Sequence, residues 1–177
     1  MPQYLLDTNA FWEALLAWNK GVISPHLPMD LLDNQVYNFS ISEITAMEIY
    51  SVLGKYLRGK QKQTNLCGRT IIDGTVCSNK WEQAAQKKLS RHEGQAILHL
   101  IRAILLQRQT SFNVSIISVD NTIIASAATL LELYADKYDF HSLDSIVAAT
   151  AKVGNFTSVT FDTKLKNVLK MAQIAVY

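Results

Sequence analysis

Cysteine, glycine and proline are all scarce in this chain, and each scarcity excludes a class of protein. The two cysteines, Cys67 and Cys77, are too few to staple a disulfide-bonded secreted domain, so a reducing cytoplasm is the expected setting. Seven glycines and three prolines exclude collagen-like repeats and a loop-dominated scaffold. No run approaches the roughly 18 uninterrupted apolar residues that a membrane-spanning helix requires. Asp7 interrupts the first apolar segment almost at once, with no basic region before it, so a signal peptide is not expected. What remains is the composition of a folded domain: 177 residues, 49% hydrophobic and 18% charged. That length predicts a single domain over 1–177, large enough to bury its own core.

The formal net charge of +2 conceals a strong division along the chain. Eleven of the seventeen Lys and Arg fall between Lys55 and Arg108, against only Asp73, Glu82 and Glu93, so this interval carries +8 and the remainder −6. Such a split can draw a polyanion to one side of the molecule, although solvated faces of long helices account for a charge run equally simply.

Strands alternating with helices predict a mostly parallel sheet covered on both faces. Tyr4-Leu5-Leu6 reads as a buried strand ending at Asp7, followed by a helix over Phe11 to Trp18 and a loop marked by Gly21, Pro25 and Pro28. Val36 to Ile41 reads as a second strand, with Ser42 capping a helix that runs to about Tyr56 and carries Ile44, Met47, Val52 and Leu53 as apolar positions. The segment 59–79 reads as a loop or a small excursion, and Trp81 to Gln109 as helix with a potential break at Gly94. Val114 to Val119 is a β-branched run expected of a strand buried on both faces, and Asp120 is placed to cap a helix from Asn121 to about Tyr134. A helix from Ser142 to about Val153 is ended by Gly154-Asn155, after which come a strand over Ser158 to Phe161, a helix over Lys164 to Met171, and a final strand over Ile174 to Tyr177.

Four acids occupy positions that would ordinarily be apolar. Asp7 and Asp162 close strand-like runs, and in open α/β sheets the carboxyl ends of strands form the ligand crevice. Glu48 lies four residues from both Ile44 and Val52, and Asp144 precedes Val147, Ala148 and Ala151 at helical spacing, so both belong to inward faces. Each acid also has a purely structural reading, as a turn, a cap or a first-turn charge. Glu48 resists that reading most, because an unpaired acid on an apolar helix face costs several kcal/mol. Bases are scarce around the four, Lys164 excepted, and a hard divalent cation such as Mg²⁺ or Mn²⁺ would neutralise them with oxygen ligands. Carboxylate-held Mg²⁺ meeting phosphate oxygens is the usual arrangement for phosphodiester chemistry, and the basic interval would then grip a nucleic-acid backbone.

These residues, in this order, resemble a PIN-domain ribonuclease. The resemblance rests on Leu5-Leu6-Asp7-Thr8-Asn9, on Ser42-Glu43-Ile44-Thr45-Ala46-Met47-Glu48, on Leu143-Asp144-Ser145-Ile146 with the alanine-rich stretch after it, and on Thr160-Phe161-Asp162 followed by Lys164-Leu165. It covers about residues 3–57 and 114–177, and leaves 58–113 as an elongated, basic and mostly helical segment, longer than the compact family core usually allows. It implies a three-layer α/β fold with a mostly parallel central sheet flanked by helices. It also implies that Asp7, Glu48, Asp144 and Asp162 hold one or two Mg²⁺ or Mn²⁺ ions while water attacks RNA, with Asn9 and Thr160 orienting the carboxylates. Compact members of the family are commonly toxins of VapBC-type toxin–antitoxin pairs, often homodimers inhibited by a small antitoxin. Candidate RNA-binding bases are Lys80, Lys87, Lys88, Arg91 and Lys164. The alternative is a catalytically inactive PIN-fold module that binds RNA or protein. A haloacid-dehalogenase-type phosphatase needs a second Asp where this chain has Asn9, and the glycine-rich turn of a dinucleotide enzyme is missing.

Overall fold

The computed structural model describes residues 3–22, 26–27, 38–58, 64–66, 80–82, 89–106 and 113–177. Four parallel strands form the central sheet: β1 (Tyr4–Leu6), β2 (Asn38–Ser42), β5 (Asn113–Ile117) and β6 (Thr157–Val159), in the order β5-β2-β1-β6. Six helices accompany them: α1 (Thr8–Asn19), α2 (Glu43–Arg58), α3 (Arg91–Leu105), α4 (Asn121–Tyr134), α5 (Ser142–Val153) and α6 (Thr163–Met171). Alternation along β1 divides the interior in two. Tyr4 and Leu6 pack with Phe11, Trp12, Ile49 and Ile97 of α1, α2 and α3, whereas Leu5 packs with Leu130, Ala148 and Val168 of α4, α5 and α6. The result is the expected three-layer α/β arrangement with helices on both faces of a parallel sheet.

The register places the functional end of the sheet. Leu6 lies beside Ile41 of β2 and Val159 of β6, so three strands finish at one level and α1, α2 and the Thr160–Asp162 turn leave from it. The chain runs outward from β1 through β2 to β5, then returns to place β6 on the other side of β1. Strand order therefore reverses beside β1, which is where open α/β sheets bind ligands.

Several elements depart from the sequence expectations. Val114 to Val119 is not buried on both faces: among the described residues β5 pairs with β2 alone and is the sheet edge, with Val114 buried and Ser115 exposed. The stretch 59–79 is not wholly loop, because β3 (Thr64–Leu66) pairs antiparallel with β4 (Lys80–Glu82). Trp81 consequently stands in a strand, and the helix expected from it starts at Arg91 instead. Ser90 sets that start through a capping box: its Oγ accepts from the Glu93 N–H at 3.2 Å, while its own N–H donates to Glu93 Oε2 at 2.9 Å. Gly94 does not break α3; it makes room for Leu57 of α2, since a Cβ there would stand 2.3 Å from Leu57 Cδ2. The C-terminal strand reduces to one bridge between Val176 and Ser158. Met47, expected on the apolar face of α2, is 72% exposed, because Thr45, Ala46, Ile49 and Leu53 form the buried face. Cys67 and Cys77 lie outside the described residues. No helix among the described residues is long and apolar enough to cross a membrane.

Candidate active site

Asp7 follows β1 directly, and its backbone N–H continues the sheet by donating to Val159 O at 3.0 Å. Its side chain then begins α1, accepting from the Ala10 N–H through Oδ1 at 2.7 Å. The other carboxylate oxygen accepts from the hydroxyl of Thr160, a fully buried residue just past β6. Thr160 Oγ1 in turn accepts the Asp162 N–H at 3.0 Å, and Asp162 caps α6 by accepting from the N–H groups of Lys164 and Leu165. Thr160 thus links two of the predicted acids through one hydroxyl. Asn9, given with Thr160 the role of orienting the acids, is exposed and hydrogen-bonds to none of the four carboxylates. Thr8 is the residue that does so: its hydroxyl donates to Glu48 Oε2 at 2.5 Å. The tripeptide Asp7-Thr8-Asn9 contained this signal, since Thr8 opens α1 toward the neighbouring helix.

Glu48 projects from the second turn of α2, and Asp144 from the first turn of α5, a helix that packs against both α2 and β6. All four carboxylates line one cleft of about 460 Å³, together with Thr8, Asn9, Ser51, Val52, Lys55, Leu143, Val147 and Leu165. Asp7 lies deepest, at 5% exposure, while Glu48, Asp144 and Asp162 are half-buried. Burial pushes the Asp7 carboxyl up to about 6; hydrogen bonds from Thr160 and Ala10 oppose the rise, and the charges of Asp162 and Asp144 add to it. Asp144 is also raised, mainly by burial, with Asp162 and Glu48 contributing repulsion. The deepest acid therefore carries a charge that the folded chain does not compensate.

The donor set is all carboxylate oxygen, which suits a hard divalent cation. Among the described residues, no group of three or more His, Cys, Asp or Glu stands close enough to grip an ion as arranged. The acids surround the cleft, and an ion would have to draw them inward.

The candidate RNA-binding bases are more scattered. Arg91 is exposed at the start of α3, and the backbone of Lys80 lies in β4. Lys87 and Lys88 fall outside the described residues. Lys164 is already engaged, because its ammonium pairs with Asp139, which also receives His141 Nε2 at 2.8 Å. That pairing raises the Lys164 pKa and lowers that of Asp139. Glu43 opens α2 five residues before Glu48. It holds the start of α2 to the segment beyond β5, accepting from Ser118 Oγ at 3.0 Å and the Val119 N–H at 2.9 Å.

Known structures share this architecture. The chain is similar to VapBC2 from Rickettsia felis, solved bound to a DNA fragment from its promoter, with a TM-score of 0.56 and 19% identity, covering 99% of this chain and 97% of that one. It is also similar to FitAcB from Neisseria gonorrhoeae, with a TM-score of 0.52 and 20% identity over 98% and 96% of the two chains. Likeness at such identities is one of fold. A comparison with curated proteins gave no match. The family model for the PIN domain matches residues 4–170, from the first strand to the last helix and through all four acids, and the chain belongs to the PIN-domain family.

Proposed function

We propose that this chain is a metal-dependent endoribonuclease acting as the toxin of a VapBC-type toxin–antitoxin pair. The observation that carries the reading is Asp7: a buried, uncompensated carboxylate at the crossover end of the sheet, facing a cleft walled by Glu48, Asp144 and Asp162. The four acids would hold one or two Mg²⁺ or Mn²⁺ ions, which when bound supply Lewis-acid activation of water and neutralise charge building on the phosphoryl oxygens. Hydrolysis adds water across the P–O3′ bond of RNA, leaving a 5′-phosphate and a 3′-hydroxyl. The chain's own contribution is orientation. Thr160 fixes the Oδ2 oxygen of Asp7, Thr8 aims Glu48, and the α6 backbone holds one oxygen of Asp162. The basic interval from Lys55 to Arg108 supplies attraction for the RNA backbone.

The toxin reading is supported by the near-complete mutual coverage with the VapBC2 and FitAcB chains. An antitoxin partner and a homodimer follow from it, as does action in the cytoplasm. The test is incubation of total cellular RNA with the purified protein in Mg²⁺, Mn²⁺ or EDTA, beside Asp144→Asn, with the new 5′ ends mapped. Metal-dependent cuts that disappear in a folded Asp144→Asn variant are expected. No cuts, together with no calorimetric Mn²⁺ binding, would overturn the proposal in favour of an inactive binding module.

A further inference from the structure

The cleft wall formed by α2 carries more than Glu48. Glu48, Ser51, Val52 and Lys55 line the cleft at the spacing i, i+3, i+4 and i+7, which sets them on one face of the helix. Lys55 is the one cation among the described lining residues, set against four carboxylates. It is exposed and forms no ion pair or hydrogen bond with another described residue, whereas Lys164, two residues after Asp162, is tied to Asp139. It also stands where the acidic cleft meets the basic interval, being the first of the eleven bases there. Two helical turns separate it from Glu48, about 10.5 Å along the axis. That rise sets the backbone of Lys55 two turns along the cleft wall from that of the acid. A polyanion entering this cleft meets repulsion from every ionised side chain except Lys55.

We propose that Lys55 binds a non-scissile phosphate, next along the RNA strand from the phosphodiester held at the four acids, so that the strand lies along α2. This inference rests on the nuclease reading and adds the path of the substrate to it. Lys55 is in this view a positioning residue, because it acts on a phosphate that does not react.

Binding of short single-stranded RNA to full-length protein, measured across a salt series in an Asp144→Asn background, tests it. Lys55→Gln should weaken binding about tenfold and flatten the plot of log K against log salt by about 0.7, the loss of one phosphate contact on a single strand. Lys55→Arg should restore both. In the cleaving protein the Lys55→Gln loss should fall on KM and not on kcat. An oligonucleotide with one uncharged methylphosphonate beside the cleavage position should bind the parent protein as weakly as Lys55→Gln binds natural RNA, with no further loss when the two changes are combined. If the parent cuts RNA and Lys55→Gln keeps its affinity and slope, the assignment of Lys55 is wrong while the nuclease reading stands. A loss confined to kcat overturns it too, since Lys55 would then act on the reacting group. A parent protein that neither cuts nor binds RNA removes the nuclease reading and this inference with it.

Discussion

Asp7 provides the sharpest test of the site because its environment has a calculable consequence for stability. Its carboxyl rises from 3.8 to about 6 on folding, so the folded chain holds the proton more tightly than the unfolded chain. The stabilising contribution is therefore fully present below about pH 3.8 and is lost as the pH climbs through about 6. At about 1.36 kcal/mol per pH unit, the rise corresponds to about 3 kcal/mol lost between acid and neutral solution. Asp7→Asn removes the charge while leaving a carbonyl oxygen to accept from the Ala10 N–H, and Asn is as good a helix cap as Asp. Urea unfolding in EDTA, followed through the fluorescence of buried Trp12 and Trp18, measures the difference. Asp7→Asn should gain on the parent by up to about 3 kcal/mol between about pH 4 and pH 7.5. Saturating Mn²⁺ should abolish most of that gain by stabilising the ionised parent alone. Parallel stability curves for the two proteins across this range in EDTA would refute the claim that Asp7 is desolvated and uncompensated.

Thr160→Val removes the hydroxyl that donates to Asp7 and accepts from the Asp162 N–H. It should cost about 1–3 kcal/mol in chemical denaturation. Calorimetry should also show a 10–100-fold loss of Mn²⁺ affinity, as is typical when a group orienting a metal ligand is removed. Ser90→Ala, outside the residues that line the cleft, should lower stability by about 1 kcal/mol through loss of the α3 capping box, as chemical denaturation would measure.

The positions of the acids were legible in the sequence because short apolar runs ending in Asp have few alternatives in a parallel α/β pattern. Tyr4-Leu5-Leu6 before Asp7 and the alanine-rich stretch after Asp144 both settle where period and polarity place them. Residues around them were less legible. Thr8 and Asn9 are neighbours at a helix start, and only the direction in which α1 leaves β1 decides which of them reaches Glu48. The burial of Val114 to Val119 misled for a similar reason: β-branched composition reports a strand, but its place in the sheet depends on which strands pair beside it. For α3 the local code was present in Ser90-Arg91-His92-Glu93, yet the helix-forming composition back to Trp81 outweighed it. Met47 shows the limit of reading a helix face from a few apolar residues, since the buried stripe of α2 runs through Thr45, Ala46 and Ile49.

Asp7 and Asp162 are helix caps as well as cleft acids, each committing one carboxylate oxygen to the backbone of the helix it begins. Folding α1 and α6 thus fixes one oxygen of each of these two acids at the cleft as its helix forms, and leaves only the closing of the acids onto an ion to follow. An amide could replace either acid and still start its helix, while losing the negative charge that the proposed chemistry needs. At these two positions the fold can outlive the activity, so an inactive descendant of this chain could persist as a well-folded protein after a single exchange of Asp for Asn.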